Sequence, residues 1–288
     1  FDADGYDDVI LRPETAAEDT LMLRGNPVMG FESVSILAAG GTEANARWPQ
    51  ASHAAHTGDF DADGRTDVLL VGRTPLTPTY LLTTCSPPYG FLDEQILTDE
   101  FGLSGDLLAE AHHVVHVADF DGDDRDDVLL QGREPSDRTW FLRSKSSTMF
   151  ATLQDVTDRF GMMAEKWAAA SQKGITGDFN GDDRTDFLLQ PRTNGGAAMI
   201  LYGQTANTFG TVSVITMSNL APEHAFETGF ALLHVLDLDN NGASDLLFQA
   251  TTPLYSSHVL MGSAQGFAPI REITRDWVFS NLIWPDSS

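Results

Sequence analysis

The chain is short of three things. It has one cysteine, Cys85, in 288 residues, which excludes an intrachain disulfide and a cysteine-based zinc site while leaving secretion open. It has only 17 Lys and Arg against 42 Asp and Glu, a formal charge of −25, which argues against nucleic acid and anionic membrane as partners and in favour of cations. No apolar run approaches the roughly 18 residues of a spanning helix, and no basic-then-apolar leader opens the chain, so membrane insertion is not expected. What is present is 42% hydrophobic residues, enough for a sizeable core in one large all-β unit or two ordinary domains.

Much of the acid is concentrated in one recurring stretch. Residues 59–70, Asp-Phe-Asp-Ala-Asp-Gly-Arg-Thr-Asp-Val-Leu-Leu, place four aspartates in nine positions and then turn into an apolar run. Versions of it begin at Phe1, Asp119, Asp178 and Asp237. The residue after the first acid is Phe1, Phe60, Phe120, Phe179 or Leu238, at steps of 59, 60, 59 and 59. Other features keep the same register. Phe31, Phe91, Phe150, Phe209 and Phe267 follow 29 to 31 residues later, each leading into a segment that reads as a half-buried strand. Leu21, Tyr80, Trp140, Met199 and His258 stand thirteen residues after the last loop acid, in another short apolar segment. Each repeat therefore contains four short strands: A before the acidic loop, B directly after it, then C and D, with Gly, Pro, Ser and Thr in the gaps.

Four strands per repeat of about 60 residues is the unit of a β-propeller blade. The expected fold is all-β: a five-bladed β-propeller of four-stranded antiparallel blades in a single domain, with repeats at 1–59, 60–119, 120–178, 179–237 and 238–288. A five-blade segment of a larger propeller is the rival arrangement. The first repeat has no A strand and Phe1 already lies inside a motif, so one A strand is expected upstream, in a longer polypeptide.

With Asp59 as position 1, carboxylates stand at positions 1, 3, 5 and 9 and a glycine at 6. If the chain turns sharply at position 6, alternate side chains and the position-7 carbonyl converge on one point. Six to eight hard oxygens suit Ca2+ better than octahedral Mg2+. The expected ligands are Asp59, Asp61, Asp63, Arg65 (carbonyl) and Asp67; then Asp119, Asp121, Asp123, Arg125 and Asp127. In the fourth repeat they are Asp178, Asn180, Asp182, Arg184 and Asp186, and in the fifth Asp237, Asp239, Asn241, Ala243 and Asp245. The first loop keeps Asp2, Asp4, Tyr6 and Asp8 but lacks position 1. Up to five Ca2+, one per repeat, are expected; the alternative is a solvated, metal-free aspartate-rich turn. Asp124 and Asp183 occupy the glycine position and must accept a positive φ, which Asp tolerates better than most residues. An EF-hand is excluded, because position 12 is Leu or Phe and begins a strand.

The motif Asp-Phe-Asp-x-Asp-Gly-x-x-Asp-Val-Leu-Leu resembles that of bacterial FG-GAP/VCBS-type repeat propellers over essentially the whole chain. The resemblance implies calcium in the loop joining strands A and B, a propeller like that of the integrin α-subunit head, and a ligand surface on the opposite face. The near-60 spacing and Asp127-Val-Leu-Leu-Gln-Gly-Arg133 are also similar to propeller segments of RHS-type or toxin-complex surface proteins.

On the face opposite the loops, the B–C connections carry Arg73, Arg133 and Arg192, each six residues after the last loop aspartate. They are candidates for an anionic glycan or acidic protein segment, or else pair with neighbouring blades. Trp48 and Trp167, with Trp277 and Trp284, are candidates to stack on sugars or anchor a protein, or else fill blade interfaces. His56, His116 and His234 share one A-strand position, and are expected to stand apart as packing or channel-lining residues. The leading function is a calcium-binding, non-catalytic adhesion or interaction module of a secreted or cell-surface protein, with a glycan or protein as its partner. A carbohydrate-binding lectin and a polysaccharide-active enzyme are the alternatives; no acid–base pair or nucleophile motif stands out. Because the 2–8 loop lacks a position-1 ligand and keeps only three acids, calcium titration followed loop by loop should fill it last, and its filling first would contradict the charge argument.

Overall fold

The computed structural model describes residues 1, 3–28, 30–84, 91–97, 108–146, 149–192, 198–205, 208–215, 231–251 and 256–273. Asp2, Trp277 and Trp284 lie outside the described residues. By internal contacts the chain divides into two compact units: Phe1–Ala118, Asp124–Arg133 and Asp137–Asp155 form the first, and Asp119–Asp123, Glu134–Ser136 and Val156–Ser288 the second.

The first unit holds three antiparallel sheets. One has three strands in the order β1 (Val9–Leu11), β2 (Thr20–Asn26), β3 (Gly30–Ala38). The next has four: β4 (His53–Gly58), β5 (Asp67–Gly72), β6 (Tyr80–Thr84) and β7 (Phe91–Ile96). The third comprises β8 (His113–Ala118), β9 (Asp127–Gly132), β10 (Trp140–Ser146) and β11 (Met149–Asp155). In the second unit, β12 (Gln172–Gly177), β13 (Asp186–Pro191) and β14 (Ala198–Leu201) are joined by β17 (Ser213–Ile215), with β15 (Gly203–Gln204) and β16 (Thr208–Phe209) as a separate pair. The last sheet is β18 (Ala231–Leu236), β19 (Asp245–Ala250), β20 (His258–Leu260) and β21 (Arg271–Glu272). The A-B-C-D order read from the repeat is thus the hydrogen-bonded order of four sheets, and the first sheet begins at B.

Register repeats as strictly as sequence. Strands B and C pair as Val9↔Leu23, Val68↔Leu82, Val128↔Leu142, Phe187↔Leu201 and Leu246↔Leu260. All residues of β5, β9 and β13 are buried, which explains their continuous apolar runs: a strand covered on both faces needs no polar side. Val68, Leu70 and Leu82 pack with Ala38 and Trp48 on one side of the second sheet, while Leu69, Val71 and Leu81 pack on the other with Val128, Leu130 and Leu142. In the second unit Leu188, Ala198 and Ile200 meet Leu246, Phe248 and Leu260.

In the loops beginning at Asp59, Asp119 and Asp178 the position-2 phenylalanine plugs the adjoining sheet at the phenylalanine that opens its D segment. Phe60 meets Phe150 at a 5.5 Å ring separation in the first unit; Phe120 meets Phe209 at 5.2 Å and Phe179 meets Phe267 at 5.6 Å in the second. The D strands differ from expectation in the last two repeats. Thr208 adopts φ 68°, which breaks the extended run at Phe209 and delays β17 to Ser213. In the fifth repeat the ladder is confined to β21, and Pro269, which has no N–H to donate, stands just before it. Two short helical turns, a 3-10 turn Glu43–Asn45 and α1 (Ala164–Trp167), lie in D–A connections where the sequence suggested only loops. No helix among the described residues is long and apolar enough to cross a membrane.

His116 and His234 hydrogen-bond the side chains of Gln131 and Gln249, at 3.0 and 2.9 Å. His56 and His116 do not stand fully apart: burial, assisted by the nearby His56, depresses His116 to about 4. Burial likewise lowers His53 to about 4, with Arg12 and Arg73 adding to the effect. Both imidazoles are therefore neutral in the fold and take up protons on unfolding below about 6.5. The stability they contribute is complete above that value and is lost as pH falls through 4. Urea denaturation should show the stability difference between the protein and its His53→Gln/His116→Gln variant shifting against the protein from pH 6.5 to 4, over the opposing contribution of carboxylates whose proton affinity is raised.

Candidate metal centres in the acidic loops

Each loop is wound by two left-handed residues. Position 6 has positive φ in all five repeats, at Gly5, Gly64, Asp124, Asp183 and Gly242, as the spacing required. Position 4 is left-handed as well, at Ala3, Ala62, Gly122, Gly181 and Asn240. Alanine at φ 58–60° is unusual and costs about 1–2 kcal/mol per residue. Nothing in Ala3 or Ala62 as residue types announces that conformation.

The position-1 aspartate holds the coil shut from inside. Asp59 accepts the amides of Asp63 and Gly64 at 3.2 and 2.9 Å, Asp119 accepts Gly122 at 2.7 Å, and Asp178 accepts Gly181 and Asp183 at 2.7 and 2.8 Å. Asp237 accepts Asn241 and Gly242 at 3.2 and 3.0 Å. Main chain also stitches successive loops together, with a position-8 amide donating to the preceding position-1 carbonyl: Asp126 to Asp59 at 2.8 Å, Thr185 to Asp119 at 2.9 Å and Ser244 to Asp178 at 2.5 Å.

The position-9 aspartate is a second fixed point. Asp67, Asp127, Asp186 and Asp245 are fully buried. Asp67 accepts the Phe60 amide at 3.0 Å and the Thr84 amide at 2.8 Å, seven residues before and seventeen after it. Asp186 does the same with Phe179 and Gly203, and Asp245 with Leu238 and Gly262, all at 2.7–2.9 Å. Asp127 holds Ser144 at 2.8 Å, and Asp8 holds Gly25 at 2.9 Å. This carboxylate therefore ties the start of the loop to the end of strand C, a role the motif did not reveal.

Three loops bring carboxylates together. Asp59, Asp61 and Asp67 each offer an oxygen within 4.8 Å of the others; Asp119, Asp121 and Asp127 form a like trio, as do Asp237, Asp239 and Asp245. These are positions 1, 3 and 9 of the expected set. Position 5 is turned elsewhere: Asp63 pairs with Arg65 and accepts its amide at 2.9 Å, and Asp182 pairs with Arg184 at 2.5 Å. Asp4 and Asn241 likewise accept the position-7 amides of Tyr6 and Ala243, at 2.9 and 2.7 Å. In the fourth loop Asn180 stands at position 3, where its amide nitrogen donates to Asp182 at 3.1 Å, and no carboxylate trio forms among its described residues.

Crowding is visible in the proton affinities. Burial, reinforced by Asp61 and Asp63, raises Asp67 to about 7, and burial with Asp178 and Asp182 raises Asp186 to about 7. Asp61 is raised by burial and by Asp63. A cation removes that repulsion, and the oxygen-only donor set fits a hard one.

The opposite-face candidates are tied into the scaffold. Arg73, Arg133 and Arg192 donate through Nε to the carbonyls of Gln50, Glu110 and Ala169 at 2.6–2.7 Å, twenty-three residues earlier in each case. Arg73 also pairs with Glu110 at 2.5 Å. The sugar-stacking role weighed for Trp48 and Trp167 meets a correction: at 3% and 0% exposure neither presents a ring face to solvent. Trp167 donates Nε1 to the Thr157 carbonyl at 3.1 Å and packs near Phe187, filling the interior beneath its connection.

No protein-family model matches the chain, and no curated protein is similar to it, so the FG-GAP/VCBS-type resemblance rests on the loop motif. Among solved structures, an Agrocybe aegerita lectin that specifically recognises non-reducing terminal N-acetylglucosamine superposes with a TM-score of 0.67 at 17% identity, over 96% of this chain and 68% of that one. The Photorhabdus luminescens Tc holotoxin pore gives 0.48 at 15% identity, over 92% of this chain and 12% of that one. The rhamnogalacturonan lyase YesW gives 0.42 at 15% identity, over 86% and 50%. The first likeness shows a shared all-β fold.

Positions 9 and 3 should separate in mutagenesis. Asp245→Ala leaves two buried amides without their acceptor and should cost about 3 kcal/mol or more even in chelator. Asp239→Ala, at an exposed position, should leave chelated stability within about 0.5 kcal/mol and diminish only the response to calcium. Denaturant titrations with and without calcium distinguish the two.

Proposed function

We propose that the chain is a calcium-binding, non-catalytic interaction module of a secreted or cell-surface protein, built as a propeller of five four-stranded blades. It takes up to five Ca2+, one per acidic loop, and engages a glycan or protein on the face opposite those loops. The observation that carries this reading is the gathering of position-1, 3 and 9 carboxylates in three separate loops of the same winding. The formal charge of −25 supports it, because a chain so acidic gains stability from bound cations. Calcium is plentiful outside cells, which suits a scaffold that depends on it.

Two observations favour variants of the reading. The fold shared with a lectin supports a glycan as the ligand class. Val34 and Ile36 on the first sheet are 62% and 60% exposed, and Leu238, the fifth repeat's counterpart of the buried Phe60, Phe120 and Phe179, is 49% exposed. Apolar positions left open at both terminal repeats support five consecutive blades of a longer propeller.

The test is thermal unfolding in excess chelator and then across a calcium titration, with magnesium as control. A calcium-specific rise in Tm is expected; each site filled at a hundredfold excess over its Kd contributes about 2.7 kcal/mol. No rise, with no metal found by elemental analysis, overturns the reading. Glycan-array screening of the calcium-loaded protein tests the ligand class.

A further inference from the structure

The connections that lead into β4 and β8 are built alike. Three residues before the first histidine of each strand stand Gln50 and Glu110. Each sends its amide back to the preceding repeat, Gln50 to the Pro13 carbonyl at 2.9 Å and Glu110 to the Gly72 carbonyl at 2.8 Å. Each accepts on its carbonyl the Nε of the arginine in its own repeat, Arg73 at 2.6 Å and Arg133 at 2.7 Å. What differs is the side chain. The Glu110 carboxylate pairs with Arg73 Nη1 at 2.5 Å and stands 3.9 Å from Arg133 Nη2, so one acid serves two guanidinium groups. Gln50 holds the corresponding place between Arg12 and Arg73 but brings an uncharged amide, whose Nε2 donates to the Arg12 carbonyl at 2.8 Å.

Two like charges therefore converge on one short segment without a carboxylate between them. Arg12 donates Nε to the Trp48 carbonyl at 2.9 Å and Nη2 to the His53 carbonyl at 2.8 Å, and Arg73 reaches Gln50 in the same segment. Among the described residues no acidic side chain pairs with Arg12, and neither Arg12 Nη1 nor Arg73 Nη2 has a hydrogen-bond partner. Burial and the nearness of Arg73 both lower the proton affinity of the Arg12 guanidinium, and the same two arginines help to hold His53 neutral. In a chain with 17 basic residues to 42 acidic ones, neighbouring cations short of an acid are out of keeping with the rest. The surroundings offer acceptors: Glu14 is exposed two residues beyond Arg12, and Thr74, next to Arg73, is exposed as well. A cationic seat flanked by acceptors matches a ligand with one carboxylate and many hydroxyls. A polyanionic peptide is disfavoured, because its further charges meet Glu14 and the field of a chain at −25.

We propose that Arg12 and Arg73 form a carboxylate seat for a uronic acid unit of an acidic glycan. The ligand's carboxylate takes between Arg12 and Arg73 the place that Glu110 takes between Arg73 and Arg133. The two free Nη groups donate to it, and the sugar hydroxyls donate to the acceptors alongside. This names the ligand class for the face opposite the loops, and it rests on that reading of the face and not on the cation sites.

The probe is a trisaccharide of two xyloses and one terminal glucuronate, titrated by calorimetry into the intact protein in calcium. It is compared with the same sugar reduced at its carboxyl to an alcohol, with acetate, and with a hexa-aspartate peptide. Saturable binding of the acid sugar is expected, and at least about tenfold weaker binding of the reduced one, because the charge-assisted contact is lost. Gln50→Glu supplies the missing carboxylate from the protein itself. It should raise Tm or leave it unchanged while weakening the acid sugar at least about tenfold, so that the loss cannot be ascribed to misfolding. Absence of saturation, equal binding of the two sugars, or an affinity unmoved by Gln50→Glu each overturns the proposal. So does acetate that binds as tightly as the sugar, which marks a small-anion site, or hexa-aspartate that binds more tightly, which marks an acidic protein segment. A different glycan held equally well by the protein and by its Gln50→Glu variant sinks the carboxylate seat and leaves the glycan reading of that face standing.

Discussion

A buried carboxylate that accepts two distant amides is the constraint on which the rest of the structure depends. Asp67, Asp186 and Asp245 each hold one amide at the mouth of the loop and another at the end of strand C. Those bonds fix where strand B begins relative to strand C, and the B–C register is accordingly the same in every sheet. Taking a carboxylate out of water costs several kcal/mol, and two charge-assisted bonds recover part of it. The remainder appears as the raised proton affinity of Asp67 and Asp186, an electrostatic demand at the base of those two loops that a divalent cation would meet.

The loop and the fold are for that reason one device. The position-1 acid folds the loop by gripping amides a few residues ahead, the position-9 acid anchors it to strand C, and main-chain bonds tie the loops at Asp59, Asp119 and Asp178 each to the next. The opposite end of the sheets is secured differently. There an arginine beyond strand B reaches back to a carbonyl in the preceding connection, and its own amide donates two residues further along, as Arg73 does to Gln50 and Ser52. One end is held by carboxylates that accept amides and the other by guanidinium groups that donate to carbonyls.

Much of this was legible in the sequence where the signal is local and periodic. The strand order, the starts of strands B and C, and the left-handed residues at Asp124 and Asp183 follow from spacing and from what a nine-residue acidic coil requires. Interactions whose partner is main chain far away were not legible. The amide of Thr84 or Gly203 has no side-chain signature, so the ninth aspartate read simply as a ligand. The same holds for the arginines, whose partners are the carbonyls of residues as different as Gln50, Glu110 and Ala169. Trp48 and Trp167 read equally well as surface or core, because an indole suits both and only the fold around it decides. Ala62 at positive φ is a local strain imposed by the loop, invisible in a residue that ordinarily favours the opposite hand.

The aromatic plugs bear on how such a chain is made. Phe60 waits for Phe150, Phe120 for Phe209 and Phe179 for Phe267, each partner 88 to 90 residues downstream. At ribosomal rates of about 5–20 residues per second, each ring stays without its partner for roughly 4 to 18 seconds after it is synthesised. In residues that wait exceeds the 59 to 60 between successive rings, so during synthesis one or two of the three are open at a time and never all three.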